Sequence, residues 1–90
     1  MKDVRDFEFR SQFLRSAVSI MNNIAEGFER LTDKDFRNFL FIAKGSCGEF
    51  RSMVYLAQEL NYIKKTDCED LIKQSEEISR ILSGLIKSLK

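Results

Sequence analysis

Ninety residues, with 15 Lys and Arg against 14 Asp and Glu, make one small domain of net charge +1, so global electrostatics neither demand nor exclude a polyanionic partner. The absence of histidine, with Cys47 and Cys68 the only cysteines, excludes the familiar zinc ligand sets and removes the commonest general base. No apolar run approaches the roughly 18 residues of a membrane span, and the opening MKDVRDFEFR lacks a signal-peptide core, so the expectation is a cytoplasmic protein with reduced thiols, no membrane and no cofactor.

With no proline and only four glycines, nothing punctuates a sheet-rich fold, and the periodicity is helical throughout. A first helix is predicted over about 7–30. Leu14, Ala17, Met21, Ile24 and Phe28 recur at spacings of three and four on one face, widened by Phe13, Val18, Ile20 and Ala25. Either Ser11 or Asp6 is its N-cap, and Gly27 loosens its last turn.

A second helix is predicted over about 33–60. Thr32 caps it, and Asp33 and Asp35 lie at the positive end of its dipole. Phe36, Leu40, Ala43, Cys47, Phe50, Val54 and Ala57 form an unbroken heptad seam, and Asn61 suits a left-handed stop. A third helix is predicted over about 67–89, with Thr66 and Glu69 as a capping box. Its seam is Cys68, Leu71, Ser75, Ile78, Leu82, Leu85 and Leu89, thickened by Ile72, Ile81 and Ile86. Short connections predict an all-α, antiparallel up-and-down bundle filling one domain over 1–90.

The second helix is apolar over most of its circumference, because Phe39, Phe41, Ile42, Met53, Tyr55, Leu56 and Leu60 lie beyond its seam. Three helices cannot surround one of their own number on all sides, so copies of the chain are expected to cover one another. Gly45-Ser46-Cys47-Gly48 lies inside the heptad pattern, with no preceding strand and no following lysine, so it is not a phosphate loop. Two glycines at about 1 kcal/mol each relative to alanine point instead to close approach by a neighbouring helix.

No nucleophile–base constellation is present, and Cys47 and Cys68 lie on apolar seams as small hydrophobes, so no enzyme activity is expected. Arg37, Lys44 and Arg51 repeat every seven residues, as do Lys73, Arg80 and Lys87. Each row runs straight along its helix with about 10.5 Å between charges, a pattern able to follow a phosphate backbone. The bland account of both rows is a solvated helix face, interleaved on the third helix with Glu69, Glu76 and Glu77. Asn23 and Glu26 on the first helix, and Ser46 and Glu49 on the second, are polar ridges read as register-setting contacts between subunits, together with the apolar Phe39, Phe41, Ile42, Met53 and Tyr55.

Two stretches carry a resemblance. Ala17-Val18-Ser19-Ile20 followed by Asn23-Ile24-Ala25-Glu26-Gly27, and Phe39-Leu40 through Ile42-Ala43, Gly45-Ser46 and Glu49, resemble the bacterial four-helix bundle family known from proteins encoded in rRNA intervening sequences. The chain is also similar to the accessory variability determinant of diversity-generating retroelements. Glu59-Leu60 with Tyr62-Ile63 fits the same pattern, and the likeness covers roughly 7–88. Met21 stands where relatives commonly have proline, Cys47 where leucine is usual and Gly48 where alanine is usual. The family's first helix would precede residue 6, leaving three of four helices here and an open groove. The resemblance implies a non-catalytic homo-oligomer, with five-fold rings in family members, and nucleic acid and a reverse transcriptase as partners of the retroelement relatives. For this chain the expected partners are therefore itself and RNA, DNA or a nucleic-acid enzyme, with a purely protein-binding scaffold as the alternative.

Overall fold

The structure, a computed structural model, describes residues 5–89; the domain bounds of 1–90 reach beyond those residues at both ends. Three helices account for it: α1 (Phe7–Phe28), α2 (Asp33–Glu59) and α3 (Lys65–Ser88), with no strand among the described residues.

Local chemistry sets each boundary. Asp6 caps α1 by accepting from the Phe9 amide at 3.0 Å, which settles the choice against Ser11. Thr32 caps α2 through the Asp35 amide at 3.2 Å, as its sequence predicts. At the other end of α2, Asn61 adopts φ 61°. The Tyr62 amide then reaches back to the Ala57 carbonyl at 2.8 Å and the Asn61 amide to that of Gln58 at 2.9 Å, the pairing of a Schellman stop. Helix α3 departs from expectation. It begins at Lys65 with Lys64 as a cap that makes no side-chain bond, so Thr66 is already inside the helix and no capping box forms. The reason is packing: Ile63, just outside the helix, rests on the cluster containing Cys68, Val54 and Ile72, a hydrophobic staple that fixes the entry of the chain two residues early.

The core lies along α2. Leu40, Ala43, Cys47, Val54 and Ala57 have no exposed surface, which bears out the heptad seam read from the sequence. Ile20 of α1 and Leu82 of α3 join Leu40, Ala43 and Cys47 in one cluster, with Phe36, Phe50 and Leu85 packed against it. Both flanking helices touch α2, but the Cα atoms of α1 and α3 nowhere come within 8 Å of each other. The body is correspondingly flat, 43 × 22 × 15 Å. Contacts pair the ends: Gly27 late in α1 meets Phe36 early in α2, and Arg37 early in α2 donates to the Leu89 carbonyl just past α3 at 3.1 Å.

Helix α1 corrects the sequence reading most sharply. The face taken for its core side is open, with Leu14, Met21 and Phe28 at 56%, 64% and 65% exposure, while Phe9, Ser16, Ile20 and Gly27 are buried. Two polar and steric details choose that rotation. The Ser19 and Ser46 hydroxyls bond across α1 and α2 at 2.8 Å, and the Asn23 amide donates to the Ser19 carbonyl at 2.8 Å and its Oγ at 3.1 Å. Gly27 supplies the close approach, since a Cβ there would stand 2.8 Å from Cδ1 of Phe36 and 3.2 Å from Cβ of Phe39. A similar shift in α3 buries Ile72 and leaves Ile78 partly open. Close approach at Gly45 and Gly48 does not occur within the chain: nothing lies within 4 Å of a Cβ at Gly45, and only the tip of Arg51 at Gly48. No buried side-chain polar atom among the described residues lacks a partner.

Gly27→Ala should lower the stability measured in urea melts by about 1–2 kcal/mol, the overpacking cost outweighing better helix propensity. Gly45→Ala, in an open helical site, should raise it by up to about 1 kcal/mol. The Phe9 amide and then the Tyr62 hydroxyl, at 2.8 Å from Oδ2, stabilise the Asp6 carboxylate and hold its pKa below the ordinary 3.8. That contribution to stability is therefore present above the ordinary value and fades as pH falls through the lower, folded-state value. An Asp6→Asn chain should show a flatter acid limb in thermal melts than the parent.

Candidate nucleic-acid interface

The two basic rows belong to different helices, yet the fold brings them to one seam. Arg51 reaches across from α2 to α3, where its Nη1 donates to Ser79 Oγ at 2.9 Å, Ser75 Oγ at 3.1 Å and the Ser75 carbonyl at 3.4 Å. Ser75 is itself buried and donates to the Cys47 carbonyl at 3.3 Å. Arg37 leans the same way, onto the end of α3. Both arginines are half-buried and partly engaged in holding α2 to α3. Lys44, Lys73, Arg80 and Lys87 are exposed.

An open cleft of about 420 Å³ runs between the helices here, lined by Arg51, Tyr55, Glu76, Ser79, Arg80 and Ser83. A second, of about 330 Å³, continues it toward the start of α3, with Lys65, Lys73, Glu69, Glu76 and again Tyr55 on its walls. Seven-residue spacing on a helix returns nearly to the same face, so Lys44 follows Arg51 along α2 and Lys87 follows Arg80 along α3. Within 4.0 Å, none of the six basic residues has a carboxylate partner among the described residues, where the one ion pair joins Arg30 to Glu26 at 2.9 Å. Glu69 and Glu76 dilute the positive field toward the start of α3.

Sequence spacing identified the rows but missed three partners in this seam. Tyr55 stands 55% exposed between them and lines both clefts, an aromatic face among cations that the wheel of α2 alone assigned only to subunit contact. Lys65 adds a cation beyond Lys73. Ser79 helps fix Arg51, and only the tertiary pairing of α2 with α3 could have revealed it.

The residues read as subunit contacts divide in two. Ser46 and Asn23 are used within the chain: Ser46 bonds Ser19 across α1 and α2, and Asn23 donates back to the same Ser19 within α1. Phe39 stacks under the Arg30 guanidinium at 4.5 Å, and Glu26 pairs with the same arginine. Phe41, Ile42, Glu49 and Tyr55 remain exposed on the outer side of α2, with Met53 half-buried beside them. Cys47 and Cys68 are buried free thiols in two separate clusters.

The model of the family described as "23S rRNA-intervening sequence protein" matches residues 1–84. Among solved structures the chain is similar to a protein of unknown function from the S23 ribosomal protein family of Bacteroides thetaiotaomicron, a crystal structure at 1.70 Å resolution. The two share 33% identity and a TM-score of 0.85, over 88% of this chain and 70% of that one. A search of curated proteins gives no match. With the family model covering nearly the whole chain and a structural relative one-third identical, this chain belongs to the 23S rRNA-intervening sequence protein family.

Proposed function

We propose that the chain is a non-enzymatic assembly module of the cytoplasm: an antiparallel up-and-down bundle that works as a homo-oligomer and offers its α2–α3 seam to the backbone of a nucleic acid. The observation that carries this reading is the convergence of two basic rows of seven-residue spacing, from separate helices, on one seam where none of their six charged heads is ion-paired within 4.0 Å among the described residues. The about 10.5 Å between charges in each row is close to three duplex steps of about 3.4 Å, so successive side chains fall near the same strand. Tyr55 gives the seam a stacking surface beside Arg51 and Arg80, which favours unpaired bases. The descriptions of the family and of its solved relative both refer to the ribosome or its RNA, a polyanion of the kind such a seam suits. Several large apolar side chains left open on α1 and α2 support self-association, at about 1.5–3 kcal/mol each for the burial forgone.

A second reading, a protein-binding scaffold with no nucleic-acid contact, is favoured by Glu69 and Glu76 within the clefts. Mobility-shift titrations with single-stranded and duplex RNA and DNA separate the two. At low salt the parent should bind, with affinity falling steeply as salt rises. Lys44→Ala, Arg80→Ala and Lys87→Ala should each weaken binding to all sequences alike and reduce the salt slope by about 0.7–0.9. Absence of any shift at low salt rejects the nucleic-acid reading, and one stoichiometric protein co-purifying without nucleic-acid absorbance selects the scaffold.

A further inference from the structure

Tyr55, Ile72 and Glu76 line both clefts of the α2–α3 seam, so they mark the point where the two clefts meet. The register of the helices puts them there. Arg51 bonds to Ser75 and Ser79, and Tyr55 follows Arg51 by one turn on the same face of α2. On α3, Ile72, Glu76 and Arg80 recur at spacings of four. Ile72 is buried and gives the meeting point an apolar floor, while Tyr55 and Glu76 stand exposed, one on each helix. Cations lie in both directions from it: Arg51 and Arg80 in one cleft, Lys65 and Lys73 in the other. Glu69 with Lys73, and Glu76 with Arg80, have the four-residue spacing that commonly forms ion pairs. Neither pair closes within 4.0 Å among the described residues. No residue of α1 lines either cleft; the apolar groove walled by Ile20 and Met21 of α1 and by Leu71 and Ile78 of α3 opens elsewhere.

We infer that this meeting point holds an unpaired guanine of a single-stranded nucleic acid, with Tyr55 stacked on the base and Glu76 reading its edge. Each part of that ligand has a counterpart in the seam. The Tyr55 ring and the Ile72 floor shield a flat base from water, and stacking of this kind accepts any base. Selection among bases falls to Glu76. An ionised carboxylate only accepts hydrogen bonds, through two oxygens side by side. Guanine alone presents two adjacent donors on its pairing edge, N1–H and the N2 amino group. The amino groups of adenine and cytosine adjoin a ring-nitrogen acceptor, and the N3–H of uracil lies between two carbonyls, so each sets lone pairs against the carboxylate. Glu76, which as a bare charge only weakens attraction for phosphate, thereby acquires a use. The edge is free only when the base is unpaired, the state in which RNA sequence is read by stacking and edge contacts. The cations complete the match. A nucleotide inside a strand carries a phosphate on each side of its sugar, and Lys73 and Arg80 flank Glu76 about 10.5 Å apart along α3. The clefts, about 420 and 330 Å³, fall in the range of about 300–1,000 Å³ usual for small-ligand sites.

The inference rests on the reading of the seam as a nucleic-acid surface and adds which base it takes and in which state. Fluorescence anisotropy at low salt tests it with four labelled RNA octamers, one all uridine and three with a single central guanosine, adenosine or cytidine. The parent should bind the guanosine octamer roughly tenfold more tightly than the others, the discrimination of one good bidentate contact. Of two hairpins sharing a guanosine-containing stem, the one with a guanosine in its loop should bind more tightly than the one with an all-uridine loop. Glu76→Gln, at an exposed position, should bind the four octamers alike and the uridine octamer no more weakly than the parent does. Tyr55→Leu should weaken all four by about fivefold or more, whereas Tyr55→Phe keeps both affinity and preference. Guanosine monophosphate, with a phosphate on one side only, should compete more weakly than the guanosine octamer. Equal affinity of the parent for the four octamers, or a preference that survives Glu76→Gln, overturns the guanine site while leaving the nucleic-acid reading standing. Equal binding of the two hairpins overturns the need for an unpaired base, and equal competition by the monophosphate overturns the strand as its source. No binding of any octamer at low salt overturns both readings.

Discussion

Helix α2 is the only wall that the other two helices share, and the rest of the structure depends on that constraint. Among the described residues, every hydrophobic side chain with no exposed surface belongs to it, and its partners add residues such as Phe9 and Ile20 of α1 and Cys68, Ile72 and Leu82 of α3 to either side. A core organised around one helix is narrow. It suffices to specify how each neighbour lies, through Gly27 against Phe36 on one side and Ser75 against the Cys47 carbonyl on the other. It does not cover the far sides of those neighbours. A small domain gains stability by enlarging its buried surface, and here the unused apolar surface is concentrated on α1 and in the slot beside it.

The polar interactions divide the molecule in a complementary way. Between α1 and α2 it is the short bond of the Ser19 and Ser46 hydroxyls, and losing that of Ser19 would leave the buried Ser46 hydroxyl unsatisfied. Between α2 and α3 they run through arginine, whose fork bonds to Ser75 and Ser79 while keeping its charge at the mouth of the cleft. Arg51 therefore serves both packing and surface potential. Lys44, Arg80 and Lys87 contribute potential alone, and they are the better probes of electrostatic function. The apolar side and the basic side are separate: the groove opens between α1 and α3, the basic seam between α2 and α3. A partner seated on the first would leave the second open.

Much of the fold was legible because α2 carries a heptad with no competing apolar face of equal regularity. Thr32 and Asn61 announced its ends through capping chemistry that needs no tertiary partner. Helix α1 was misread for the opposite reason. It carries two apolar stripes, one through Ile20 and Gly27 and one through Leu14 and Met21, and periodicity alone cannot say which meets α2. The decision rests on Ser19 finding Ser46 and on a glycine fitting a phenylalanine, both tertiary facts. The start of α3 was misplaced because Ile63 packs on residues distant in sequence, including Val54. In the candidate site the basic rows could be read from spacing. Their convergence could not, since it follows from how α2 and α3 pair, and Tyr55 gained its place between them only when that pairing was known.

The central claim is physical: three helices around a single shared wall leave α1 with an apolar face that none of the described helices covers. Sedimentation equilibrium of the purified parent, followed from high concentration into the low micromolar range, tests it most directly. The account predicts a molar mass of at least two chains that dissociates only on strong dilution. A well-folded species of one-chain mass throughout that range, with α1 helical and its outer face wet, would contradict it.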